Sequence, residues 1–193
     1  MTSTIGLVLG AGGMSGQAYH AGALAALAHD TGWDPRTADV VVGTSAGAVT
    51  GALLRGGVGA DDLAAYGVRA TLSAAMTRVA EVVDGHAALA PLRWHQVLRP
   101  GRLPRPGLLL ALARHPERFM TALLALTHAA DADVEEQLDF LEPLLPTWPV
   151  DALRVCAVRR RDGHRVVFRD GRQSPRRAVA ASCAVPGYLT CAR

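Results

Sequence analysis

Two short, unbroken apolar runs open the chain, Ile5-Gly-Leu-Val-Leu9 and Val40-Val-Val42, and glycine closes each. Runs of this length without a polar break predict strands buried on both faces. A helical pattern follows each run. Across Gln17–His29, Ala18, Ala21, Ala25 and Ala28 alternate with Leu24 and Leu27 at helical spacing, and Thr31-Gly-Trp-Asp-Pro35 breaks the pattern. Ala48–Arg55 is the second helix, stopped by Gly56-Gly57. Strand, loop and helix, twice over, predict a parallel α/β sheet with right-handed crossovers.

The alternation lapses in the middle. Ala60–Val83 reads as one helix, with Asp61 and Asp62 near its positive end. Residues 84–116 carry Pro91, Pro100, Pro104, Pro106 and Pro116, predicting a punctuated loop around a short helix at Leu108–Arg114. Glu117–His128 and Val134–Leu145 read as amphipathic helices, so residues 84–150 form a helical, proline-rich insertion. Its length suits either a movable cover over a site or a peripheral decoration. Strands resume at Leu153–Arg160 and His164–Arg169, around a hairpin turn at Asp162-Gly163. Ser174-Pro175 has the cap and first-turn proline of a helix start, and the helix over Ala178–Val185 stops at Pro186-Gly187.

Composition narrows the class. Half of the 193 residues are apolar and 19% are charged, which predicts one domain with a sizeable core and excludes a disordered tail. The apolar runs are too short to span a bilayer, and no basic-then-apolar leader precedes Ile5. Cys156, Cys183 and Cys191 are an odd set without metal-ligand spacing, so a reducing cytoplasm and no metal are expected. All 20 basic residues are arginine, and residues 151–193 hold ten of them against three acids. That segment reads as a solvated face, with an anionic membrane surface or an acidic partner as its alternatives. No aromatic ladder accompanies the arginines, so nucleic acid is not expected.

Two glycine loops carry the chemistry. Gly43-Thr44-Ser45-Ala46-Gly47 is G-x-S-x-G between a strand and a helix, the pattern of a nucleophile elbow. So tight a turn brings both flanks against the serine, which is why Gly43 and Gly47 carry no side chain. The second loop, Gly10-Ala11-Gly12-Gly13-Met14-Ser15-Gly16, approaches the dinucleotide fingerprint G-x-G-x-x-G but fails it in both registers. Read from Gly10 it needs glycine at Ser15, and read back from Gly16 it needs glycine at Ala11. The ribose-binding acid after the second strand is missing too. Free N–H groups at a helix start suit an oxyanion instead, so no nucleotide or other cofactor is expected.

These loops resemble the patatin-like phospholipase family. The resemblance runs from Ile5-Gly-Leu-Val-Leu9 through Gly16, His20-Ala-Gly22 and Asp39-Val-Val-Val-Gly-Thr-Ser-Ala-Gly47. It resumes at Ala180-Ala-Ser-Cys-Ala-Val-Pro-Gly187, similar to the family's stretch before its catalytic aspartate. The resemblance implies a three-layer α/β sandwich with a mainly parallel central sheet over residues 5–193. It also implies a Ser–Asp dyad that hydrolyses acyl esters of lipids without cofactor. Ser45 is then the nucleophile, Gly12 and Gly13 belong to the oxyanion hole, and Gly43, Thr44, Ala46 and Gly47 form the elbow. A lipid substrate fits a movable cover and an arginine-rich face near anionic headgroups.

Two departures stand out. Ser15 occupies the place where the family usually has arginine or lysine. The family's acid lies in an Asp-Gly-Gly or Asp-Gly-Ala turn beyond Pro-Gly, whereas this chain ends at Arg193. The domain therefore reads as C-terminally incomplete, and the dyad acid has no residue here. Asp84, Asp162 and Asp170 each precede glycine, but Asp162 and Asp170 read as turns and Asp84 matches nothing. A Ser–His–Asp hydrolase would draw on His86, His95, His115, His128 or His164, which lie scattered in loops and helix ends, while His20 reads as a packing residue. The expected activity is serine-dependent acyl ester hydrolysis. Its rival is an incomplete patatin-like fragment that binds lipid or a partner chain.

Overall fold

The computed structural model describes residues 4–85, 114, 134–159 and 164–184. Both opening apolar runs are strands, β1 (Gly6–Leu9) and β2 (Val40–Thr44). With β3 (Leu153–Val158) and β4 (Arg165–Phe168) they form one sheet in the order β1-β2-β3-β4. The first three strands run parallel, and β4 is antiparallel to β3, as a hairpin requires. The Asp162-Gly163 turn itself lies outside the described residues. A mostly parallel sheet carrying helices is the expected α/β class.

Register explains which side is dry. Leu7 pairs with Val41 and Val41 with Leu153, while Leu9 pairs with Gly43 and Gly43 with Val155. Partners across a sheet share a face, and Val41, Leu153 and Val155 are fully buried there. Helix α2 (Ala46–Arg55) lies against that face, buried along Ala46–Leu54. Gly51 allows its close approach, since a Cβ there would stand 2.9 Å from Val41 Cγ1 and 3.4 Å from Leu153 Cδ1. Helix α1 (Gly13–Thr31) packs on α2 and on α3 (Ala60–Gly67), burying His20, Ala21 and Leu24.

Three expected helix boundaries are corrected. Helix α1 begins at Gly13 rather than Gln17, because the Gly16 N–H already bonds the Gly12 carbonyl at 2.9 Å. The single helix expected over Ala60–Val83 is two, α3 and α4 (Ala74–Gly85). Arg69 takes a left-handed φ of 55° after Gly67, and the Asp62 carboxylate accepts from the Ser73 N–H at 3.0 Å and the Ser73 hydroxyl at 2.7 Å. Ser73 in turn caps α4, its Oγ accepting from the Met76 N–H at 3.3 Å. Val134–Leu145 likewise splits into α5 (Val134–Gln137) and α6 (Leu141–Leu144). Pro143 has no N–H to continue the helical ladder, and tighter bonds such as Leu141 N–H to the Leu138 carbonyl at 2.9 Å carry the chain between them.

Of the remaining middle segment, Arg114 is helical, while the rest of Leu108–Arg114 and all of Glu117–His128 lie outside the described residues. The late helix, α7 (Pro175–Cys183), starts as read: Ser174 Oγ accepts from the Arg177 N–H at 3.3 Å, with Pro175 buried behind it.

Candidate active site

Strand β2 ends at Thr44 and α2 starts at Ala46, so one residue, Ser45, turns the chain from strand to helix. It does so at φ 52° and ψ −117°. A left-handed φ on a serine costs on the order of 1–3 kcal/mol, and such strain gathers where chemistry is done. The flanking glycines permit the turn. A Cβ on Gly43 would come within 2.6 Å of Ala48 Cα, and one on Gly47 would strike the Leu9 backbone and stand 2.7 Å from Leu9 Cβ.

The first glycine loop meets this elbow directly. The Gly47 N–H donates to the Gly10 carbonyl at 3.1 Å, and Gly16 lies against Ala46, where an added Cβ would touch Ala46 Cβ at 3.5 Å. Two helix starts therefore converge. Gly12 caps α1 and is exposed, and Gly13, also exposed, opens the helix at φ 57°. The Gly13 and Ala46 amides stand first in their helices, where helical geometry supplies no acceptor. Both starts present positive dipole ends.

The sequence reading assigned no role to the other side of the elbow. Across 137 residues of chain, the Ser45 N–H donates to Ser182 Oγ at 2.7 Å. The Ser182 hydroxyl in turn donates to the Cys156 carbonyl on β3 at 2.6 Å. The next residue, Cys183, holds its thiol close enough to the Ser45 side chain to temper its own titration. Burial pushes that thiol up to about 11, and the Ser45 contact offsets only part of the rise. It is neutral at physiological pH and takes no proton from serine. The only sequence signal for either residue is the Ala180–Gly187 stretch, similar to the family's stretch before its catalytic aspartate.

None of the other candidates among the described residues bonds Ser45. His20 is buried in α1, and its ring Nδ1 stands 3.5 Å from Thr50 Oγ1, as a packing residue's would. Asp170 is an exposed turn residue, its carboxylate accepting from the Arg172 N–H at 3.3 Å and pairing with Arg172 Nε at 3.0 Å. Asp84 lies in the last turn of α4, and Asp39 bonds the Ile5 N–H at 2.7 Å where β1 begins. Asp162, His86, His95, His115 and His128 lie outside the described residues. Among the described residues, no carboxylate bonds Ser45, and no helix is long and apolar enough to cross a membrane.

The strained serine between two glycines, joined to a second glycine loop at a helix start, narrows the choice of family. A family profile for patatin-like phospholipases matches residues 7–193. The chain belongs to the patatin-like phospholipase family. A search of curated proteins found no match. The patatin-like match spans both glycine loops, β1 from Leu7 onward, β2, β3, β4 and α7. The family is one of lipid acyl hydrolases.

Proposed function

We propose that this patatin-like domain hydrolyses acyl esters of lipids, with Ser45 as the nucleophile. The observation that carries the reading is the Ser45 backbone, held at φ 52° where strand becomes helix. A plain turn would place glycine or asparagine there, since a serine gains nothing from the strain.

The reaction follows from the elbow. Ser45 Oγ attacks the ester carbonyl carbon, and its proton passes to a base as the carbon–oxygen bond forms. The tetrahedral oxyanion lies against the N–H groups of Gly12, Gly13 and Ala46, at the positive ends of α1 and α2. One such donor is worth about 10²–10³ in kcat. Collapse of the intermediate returns the proton to the departing alcohol and leaves an acyl-serine, which water then hydrolyses. Resemblance gives the base role to an aspartate, and we assign it to no residue here. No cofactor enters these steps. The setting we assign is the reducing cytoplasm. Exposed Arg165, Arg169, Arg172 and Arg177 support peripheral contact with an anionic membrane surface.

A fluorophosphonate probe tests the reading. Ser45 should be labelled and short-chain esters turned over, and Ser45→Ala should lose both. A wild-type protein that is neither labelled nor active would sink it. One observation favours a second reading, lipid binding without turnover: the thiol beside the Ser45 side chain, Cys183, is neutral and cannot serve as a base. In that case anionic vesicles would bind wild type and Ser45→Ala equally while labelling stays absent.

A further inference from the structure

We infer that Ser182 is a positioning residue for Ser45, bridging the backbone rung that the elbow breaks. Thr44 is the register partner of Cys156, so the parallel ladder between β2 and β3 reaches as far as that pair. One residue later the chain turns into α2, and Ser45 leaves the ladder. Its N–H is then without a strand partner, and so is the Cys156 carbonyl on the Ser182 side. The Ser182 hydroxyl joins the two, accepting from Ser45 at 2.7 Å and donating to Cys156 at 2.6 Å. A hydroxyl can do both because it carries one proton and two lone pairs. An alanine does neither, and a partly buried N–H and carbonyl would both lose their partners.

The bridge has a direction. Ser182 sits in the last turn of α7, whose Val179 is fully buried and whose Ser174 cap fixes the helix start. The hydroxyl thus reaches Ser45 from a packed element rather than from a loop. It grips the main chain of the nucleophile and leaves the oxyanion amides untouched. Ser182 acts through Ser45, holding the left-handed φ that aims Oγ outward. This assignment deepens the hydrolase reading, and its effect on reactivity rests on that reading. The grip on the backbone does not.

Amide hydrogen exchange separates the two. In Ser182→Ala the Ser45 amide should exchange at least about ten-fold faster. Ala52 and Leu53, in the middle of α2, should keep their wild-type rates. Ser182→Thr, which keeps the hydroxyl, should restore Ser45 protection. Fluorophosphonate labelling of Ser182→Ala should slow by about ten- to a hundred-fold, with KM for an ester unchanged and kcat reduced. Should Ser182→Ala fail to fold, Ser182→Cys keeps the volume, weakens both bonds and should speed Ser45 exchange in the same way. Unchanged Ser45 exchange overturns the proposal. So does an acceleration spread evenly along α2, which would mark a general packing role, or a threonine variant that behaves like alanine. A wild-type protein that is not labelled at all removes the hydrolase reading, and the exchange data still decide the bridge.

Discussion

The Gly47 N–H donates to the Gly10 carbonyl at 3.1 Å, so the first turn of α2 is stitched to the loop that opens α1. A shift of either glycine loop therefore strains the other, and Gly47 is the residue least able to change. A methyl group there would strike the Leu9 backbone, which cannot swing aside as a side chain can. Gly47→Ala should cost about 2–3 kcal/mol or more from overpacking and lose fluorophosphonate labelling. Gly13 makes the contrast. A Cβ there meets open space and suffers only its φ of 57°, so Gly13→Ala should cost about 1–2 kcal/mol. Urea denaturation of the two variants checks the ranking, and a cheaper Gly47→Ala would refute it.

Arg55 closes the opposite end of the sheet. Its guanidinium donates to the Ala152 carbonyl at 2.9 and 3.1 Å, to the Ala38 carbonyl at 2.6 Å and to the Arg36 carbonyl at 2.8 Å. These acceptors lie just before β2 and β3, so one side chain from α2 pins both strand entries. Burial lowers its pKa and Asp39 partly opposes this, yet arginine stays charged across the physiological range. Arg55→Ala should cost about 2–4 kcal/mol, because a charged hydrogen bond contributes about 1.5–3 kcal/mol and the freed carbonyls, exposed or only partly buried, regain water in part. Arg55→Lys should recover less than half of that, because a compact ammonium lacks the planar fork that spans three carbonyls. Equal melting temperatures for lysine variant and wild type would contradict this.

These residues also mark what the sequence made legible. Val40-Val-Val42 and the spacing of Gly43 and Gly47 expose the strand, the elbow and the nucleophile candidate, because each depends on neighbours within a few positions. The break between α3 and α4 depends on Asp62 reaching Ser73 eleven residues on, so local periodicity ran straight through it. Ser182 meets Ser45 across 137 residues, and no one-dimensional pattern encodes that contact. Arg55 looked like an ordinary basic residue at a helix C-terminus, and its carbonyl partners become visible only once β2 and β3 are adjacent.

Arg176 ties α7 to the short helices before β3. It pairs with Glu135 of α5 at 3.3 Å, with Glu142 of α6 at 3.3 Å, and with Asp139 between them. Its side chain is 27% exposed, so solvent screens the network only in part. Arg176→Ala removes the shared cation and leaves clustered carboxylates to repel one another. It should destabilise by about 1–2 kcal/mol at low salt, more than an isolated surface pair. The difference should shrink in 1 M NaCl, where the screening length falls to about 3 Å. A difference unchanged by salt would assign the loss to packing of the arginine stem instead.

His20 predicts the pH response of the core. It is 8% exposed between α1 and α2, and burial lowers its pKa from the usual 6.5. The hydroxyl of Thr50 donates to the Ala46 carbonyl at 3.1 Å, so its oxygen is left to accept from His20 Nδ1–H. That bond suits the neutral ring, and protonation at Nε2 would charge it inside the fold. Above pH 6.5 both folded and unfolded states hold the ring neutral, and its contribution to stability is complete. As pH falls below 6.5 the unfolded chain takes up the proton first, so stability drops until the folded ring also titrates at its lower pKa. Stability should therefore fall between pH 7.5 and 5.5. His20→Gln can still offer Thr50 an N–H and does not titrate, so its stability should vary less over that interval. Parallel pH profiles for wild type and His20→Gln in urea denaturation would show that another group sets the acid limit.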